Sequence, residues 1–283
     1  MEVPPGIEPG YTDLQSGASP LRHGTSRGGS GAIIICACVR DRCLRSVQLS
    51  AIAAQKATLY SSESAYMTDF SAARDAMVES QIRTSDVTDL AILRAFRRTA
   101  RENFVPTARR ALSYADCQVE TDEGRTMLSP RDLSKMIQAA DIEAHDVVLD
   151  LACGRGYSTA ILAQLADTVV GLETDESAVA RATELLVDAD ISNAAVVQGD
   201  LKSGAAEHGP FNVIFVGASL PAAHKAWFSQ LANGGRLVCI IQNGPVGCAT
   251  VFTKSGDAVG ETVAFDTSAP YLPGFEPADA FVF

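Results

Sequence analysis

The chain has 283 residues, of which 47% are apolar, with a formal net charge of −11 and a pI near 4.8. That length and apolar fraction suffice for an α/β domain with a full core. The acidity leaves no electrostatic footprint for nucleic acid or an anionic membrane, so neither partner is expected.

Residues 1–66 carry Pro-Pro-Gly, Glu-Pro-Gly and Gly-Gly-Ser-Gly and show no sustained period. They lack the charged-then-apolar layout of a secretion signal. The apolar stretch from Ala32 to Val39 is too short to span a membrane and is closed by Arg40-Asp41-Arg42. The peptide from Pro5 to Gly17 is similar to translated noncoding DNA upstream of bacterial genes. The expectation is therefore a start at Met67, with 1–66 a disordered or misassigned extension. The seven cysteines (36, 38, 43, 117, 153, 239 and 248) are odd in number and lack paired spacing, which reads as reduced thiols of a cytoplasmic protein. No metal site is expected, because Cys36 and Cys38 have no second Cys pair or His cluster.

Residues 67–125 read as a helical cap and substrate-side segment. Phe70 to Arg83 and Asp89 to Thr99 have amphipathic spacing, and Asp86 or Thr88 is the expected cap of the second helix. Tyr114 to Glu120 is extended, and Thr121-Asp122-Glu123-Gly124 is a tight turn. Ser129 and Pro130 are suited to the cap and first position of a helix over 131–140.

Residues 126–283 read as the main α/β core. Val147-Val148-Leu149-Asp150 is a strand ending in an acid. Leu151 to Gly156 is a small-residue turn, and Ser158 to Leu165 is helical. Glycines let backbone approach a nucleotide-like ligand. An acid ahead of them repels a pyrophosphate and favours the cationic methionine end of S-adenosylmethionine. A dinucleotide fingerprint would need a small third residue where Thr159 stands. The strand from Thr168 to Leu172 ends at Glu173, roughly 20 residues on, where an acid can accept ribose hydroxyls. After a helix over 176–189, Ala195 to Gln198 is a third strand, ending in Gly199-Asp200, where the acid can meet an adenine. Cofactor contacts are thus expected from Asp150, Ala152, Cys153, Gly154, Gly156, Glu173, Thr174, Gly199 and Asp200. Leu237 to Ile241 is the last clear parallel strand. Thr250 to Phe252 and Glu261 to Phe265 form an antiparallel edge pair, Ala269 to Pro277 is a surface loop, and Ala280 to Phe283 is a final strand. The four histidines (23, 145, 208 and 224) read as surface groups, and no hydrolase triad or zinc motif occurs.

Several stretches together resemble the protein-L-isoaspartate O-methyltransferase family over roughly residues 75–245. They are Met77 to Arg83, Arg101-Glu102-Asn103-Phe104-Val105-Pro106, Tyr114-Ala115-Asp116, Gly124-x-Thr126, Pro130, the loop ending Gly156-Tyr157, Gly199-Asp200, Pro210-Phe211 and Gln230 to Val238. The resemblance implies a doubly wound, mostly parallel Rossmann-like methyltransferase sheet with an N-terminal helical cap. It also implies S-adenosylmethionine as cofactor and isoaspartyl-containing proteins or peptides as substrates. In the implied reaction the misplaced carboxylate is methylated, and the ester closes to a succinimide that hydrolyses in part to normal aspartate.

The chain departs from the family at its active-site segment. An ungapped match to Gly-x-Thr-Ile-Ser-x-Pro puts Leu128 at the family serine, flanked by Thr126 and Ser129. Leucine cannot donate a hydrogen bond. Losing one positioning bond costs about 1–3 kcal/mol. Ser129 compensates only if the backbone slips by one residue; otherwise Leu128 packs on cofactor or core. Asn212, Leu201 and Gly217-Ala218-Ser219 also differ from the family pattern and are expected near the pocket mouth. Three readings stay open: isoaspartyl repair, impaired or not; methylation of another carboxylate or small molecule; and cofactor binding without catalysis.

Overall fold

The computed structural model describes residues 69–277. The expectations for 1–66 and for a strand over 280–283 lie outside the described residues. The N-terminal helices form where local capping and apolar spacing coincide. Asp69 caps α1 (Phe70–Met77) by accepting from the Ser71 and Ala72 N–H groups. The helical path then widens into a π turn over Val78–Ile82, tightens over Arg83–Ser85, and stops at Asp86 in the left-handed conformation. Asp86 therefore ends the first helix and does not cap the second. The cap of α2 (Leu90–Arg98) is Asp89, which accepts from Ala91 N–H at 2.6 Å.

After the short α3 (Arg101–Phe104), a small antiparallel hairpin pairs β1 (Val119–Glu120) with β2 (Thr126–Met127). The turn between them closes as expected, Thr121 N–H donating to the Arg125 carbonyl at 2.8 Å with Gly124 at positive φ. Next comes α4 (Pro130–Ala140), capped by Ser129 with proline at its first turn. The core continues through β3 (Val147–Leu151), α5 (Tyr157–Leu162), β4 (Thr168–Glu173), α6 (Glu176–Asp188) and β5 (Ala194–Gln198). It is completed by β6 (Phe211–Leu220), α7 (Lys225–Gln230), β7 (Leu231–Ile241), β8 (Cys248–Ser255) and β9 (Ala258–Asp266).

The seven strands β3 to β9 form one sheet in the order β5-β4-β3-β6-β7-β8-β9. The first five run parallel, and β8 and β9 add an antiparallel edge. This is the doubly wound, mostly parallel α/β architecture that the sequence pattern implied. Its strands read as continuous apolar runs because both faces are covered. Val148, Val213, Phe215 and Val238 pack in one cluster with Phe96, Met136, Tyr157 and Leu185. Leu149, Ile214 and Leu237 face the other side, beneath Trp227, Leu201 and Leu272. The N-terminal helices share the first of these clusters, through Met77, Ile82 and Phe96. Among the described residues no helix is long and apolar enough to cross a membrane.

The stretch from Ala269 to Pro277 differs from expectation. Ala269 and Leu272 are buried, and Tyr271 bridges to Ser219 as a parallel partner. The reason is that β6 runs on to Leu220, leaving Ser219 backbone groups to satisfy. Its N–H donates to the Pro270 carbonyl at 3.1 Å, and its carbonyl accepts from Leu272 N–H at 2.9 Å. His224 also departs from the surface reading. It is half-buried, with its ring beside Trp227 and Phe275.

Candidate functional site

The strand order reverses between β3 and β6, so a crevice opens beyond their carboxyl ends, the usual ligand position in such sheets. The loop after β3 forms one wall. Ala152, Gly154 and Gly156 all have positive φ there (61°, 57° and 83°). A Cβ on Gly154 would lie 3.2 Å from the Arg125 Cβ, so this glycine lets the β1–β2 hairpin close over the loop. Between them lies a partly open cavity, lined by loop residues 152–155, Thr121, Arg125 to Leu128, Tyr157, Phe215 and Gly217. A second cavity shares Thr121, Arg125, Thr126, Ala152 and Gly217 and extends to Ala218 and to Pro270–Pro273.

Two buried carboxylates sit at the strand ends, each 1% exposed. Asp150 lines the first cavity, and its Oδ2 accepts from the Ser158 hydroxyl at 2.7 Å and the Thr159 hydroxyl at 2.6 Å. Burial pushes its pKa up to about 6, against the pull of those two hydroxyls, and the Glu173 charge pushes the same way. Glu173 accepts the Gly154 N–H at 2.7 Å, which ties the glycine loop to the end of β4. The Arg125 guanidinium grips both Glu173 oxygens, with Nε–Oε1 at 3.0 Å and an Nη–Oε2 contact of 2.8 Å. Arg155 pairs with Glu123 at 2.8 Å on the hairpin turn.

The expected site residues divide between the cavity and its surroundings. Asp150, Ala152, Cys153, Gly154, Thr126 and Leu128 line the cavity directly. Gly156 caps α5, where a Cβ would press on Leu186 at 3.3 Å. Cys153 is buried against Gly171, and burial raises its thiol pKa well above the usual value. Leu128 is 3% exposed and belongs to the core cluster as well as the cavity wall. The idea that Ser129 supplies the missing hydroxyl is corrected. Its Oγ donates to Asp132 at 2.9 Å and accepts the Asp132 N–H at 3.1 Å, a reciprocal helix cap outside the cavity lining.

Glu173 is also not free to take a diol in this conformation, because Arg125 already occupies both oxygens. Thr174 is exposed and lies 3.4 Å from the same guanidinium. Gly199 and Asp200 lie outside both cavity linings. Asp200 is exposed and closes its own turn, accepting the Ser203 hydroxyl at 2.6 Å. Of the three departures expected at the mouth, only Gly217-Ala218 is there. Asn212 sits at the opposite, amino end of β6, accepting Val147 N–H at 2.9 Å. Leu201 is buried beneath the sheet, its carbonyl held by the Trp227 indole.

The sequence reading missed Arg125, Thr121 and Tyr157. Thr121 and Tyr157 both line the cavity. The Tyr157 ring packs against Phe96 and Phe104 with the Arg101 guanidinium over its face, whereas the buried Thr121 hydroxyl has no protein partner among the described residues. Buried polar atoms of that kind point to a ligand or ordered water. No periodic signal marks them. The charged turn Asp122-Glu123-Gly124-Arg125 was the available hint.

Comparison with known proteins agrees with this arrangement. The protein-family model described as protein-L-isoaspartate(D-aspartate) O-methyltransferase matches residues 72–273, more than half of the chain. A protein-L-isoaspartate O-methyltransferase of Methanoculleus marisnigri is 36% identical over 175 residues, covering 62% of this chain and 79% of the relative. One from Pelobacter propionicus is 34% identical over 177 residues, covering 62% and 76%. A solved protein-L-isoaspartate O-methyltransferase shares the fold, with a TM-score of 0.63 at 23% identity, covering 71% of this chain and 66% of its own. So does a β-aspartate methyltransferase structure from Plasmodium falciparum, in complex with S-adenosyl-L-homocysteine, with a TM-score of 0.61 at 18% identity and coverages of 70% and 97%.

Proposed function

We propose a function from one premise: the chain belongs to the protein-L-isoaspartate(D-aspartate) O-methyltransferase family. It is an S-adenosylmethionine-dependent methyltransferase that esterifies the free α-carboxylate of isoaspartyl residues in damaged proteins. The observation that carries this reading is the family match across 72–273. The cavity at the sheet reversal supports it.

The residues around that cavity suit the cofactor. The unpartnered, buried Thr121 hydroxyl offers a hydrogen bond, and the Asp150 carboxylate lines the cavity beside it. The Gly154 position allows close backbone approach. S-adenosylmethionine supplies a sulfonium methyl, an electrophile that a carboxylate can attack without a general base. The chain's own task is therefore orientation and exclusion of water. Leu128, Met127 and Phe215 form an apolar wall, and Thr121 and Thr126 are hydroxyl residues that both cavities share. A dry wall strengthens the attraction between the reacting charges.

The test is transfer of labelled methyl to an isoaspartyl peptide and to its normal aspartyl counterpart. Transfer to the first alone is expected. A folded protein that binds S-adenosyl-L-homocysteine and methylates neither peptide refutes the repair reading. The apolar Leu128 then favours a different carboxylate acceptor, one that needs no hydroxyl at this position.

A further inference from the structure

Arg125 and Arg155 are the cations among the described residues lining the two cavities. Arg155 is anchored away from the shared mouth by Glu123, with Asp122 at 3.9 Å. Arg125 differs. Its side chain is bound to Glu173 and, weakly, to Thr174, and to nothing else described. It follows Gly124, an exposed turn position where even an added Cβ would meet nothing. It also lines both cavities. The partner it holds is the carboxylate at the end of the second core strand, the position suited to a ribose diol. Glu173 accepts from Arg125 at both oxygens, from Gly154 N–H at 2.7 Å and from Thr174 N–H at 3.1 Å, so a diol has to displace one of these donors.

We propose that Arg125 is an exchangeable carboxylate anchor. It locks Glu173 in the ligand-free protein, is released when the cofactor ribose takes Glu173, and then grips the carboxylate of the substrate at the mouth shared by the two cavities. This rests on the isoaspartyl methyltransferase reading and names the residue that holds the acceptor. Chemistry supports the exchange. A guanidinium prefers a planar carboxylate to neutral hydroxyls, and its fork fixes the acceptor geometry as well as its position. The substrate is an anion entering a cavity already lined by the Asp150 carboxylate, so it needs a cation there. Leu128, where the family has a serine, offers no hydrogen bond to that carboxylate. The exchange also sets an order: cofactor first, acceptor second.

Binding measurements on the full chain separate these roles without turnover. Calorimetry gives the dissociation constant of S-adenosyl-L-homocysteine, and fluorescence anisotropy gives that of an isoaspartyl peptide to the protein saturated with it. In Arg125→Gln, the first is expected to stay the same or tighten, because Glu173 no longer has to be freed. The second is expected to weaken at least tenfold, with partial recovery in Arg125→Lys. Peptide affinity within twofold of wild type in Arg125→Gln overturns the proposal. So does a parallel loss of both affinities, which would mark Arg125 as a structural prop. If the unaltered protein binds the homocysteine product but no isoaspartyl peptide, the substrate reading has failed. Weaker product binding in Arg125→Gln would then overturn the lock on Glu173 as well.

Discussion

Replacing Leu128 with serine sets a loss of core packing against a gain at the site. Leu128 is 3% exposed and packs within the cluster that joins the N-terminal helices to the sheet. Serine lacks three of its carbons, worth about 2–3 kcal/mol at roughly 0.8 kcal/mol per buried methylene. Incomplete collapse of the wall adds a cavity cost, and buried leucine truncations span about 2–5 kcal/mol. A net destabilisation of about 3 kcal/mol is therefore expected for Leu128→Ser, read as the urea unfolding free energy of the ligand-free protein. The new hydroxyl faces the cavity, so a ligand can satisfy it. One positioning hydrogen bond is worth about 1–3 kcal/mol, which predicts a roughly ten- to hundredfold rise in methyl transfer to an isoaspartyl peptide. The assay compares kcat and KM at a temperature where both proteins stay folded. A destabilisation below about 1 kcal/mol would show that Leu128 does not bridge core and cavity. A well-folded variant with no rise in transfer would refute the positioning role of a hydroxyl here.

Asp150 titrates near pH 6 in the fold and near 3.9 unfolded, so the native state holds its proton more tightly. Its contribution to stability is full below about pH 4 and is lost as pH rises through 6, by about 3 kcal/mol in all. The unfolding free energy of Asp150→Asn should gain on wild type across that window; parallel pH profiles would show that the carboxylate is not desolvated. Ala152 holds a left-handed φ of 61°, so Ala152→Gly should raise the unfolding free energy by about 1 kcal/mol, and a loss of that size would mean its methyl packs usefully. Arg236 binds the Ala140 and Asp141 carbonyls and the buried Asp146 carboxylate, each at 2.7 Å. Arg236→Ala strands that charge and should cost about 3–5 kcal/mol in a denaturant titration; a cost under about 1 kcal/mol would place Asp146 in contact with water.

The sequence by itself determined the sheet and the loop that its reversal point uses. Strands from Val147, Thr168 and Ala194 are local apolar runs with a polar residue at or next to their ends, and α4 announces itself through Ser129 and Pro130. Such signals depend on residues close together in the chain, so they can be read along it. The family resemblance was legible for the same reason, as were the cavity positions of Leu128, Thr126 and the 152–154 turn.

Tertiary structure decided what occupies each polar group. Whether Ser129 serves the site or the helix depended on where α4 begins relative to the cavity. Whether Glu173 stands free depended on a hairpin 48 positions away folding over Gly154. Whether Ala269 to Pro277 lies loose depended on the unsatisfied backbone of Ser219. Hydrogen-bond partners at such separations leave no periodic trace, because geometry pairs them only after the sheet has assembled.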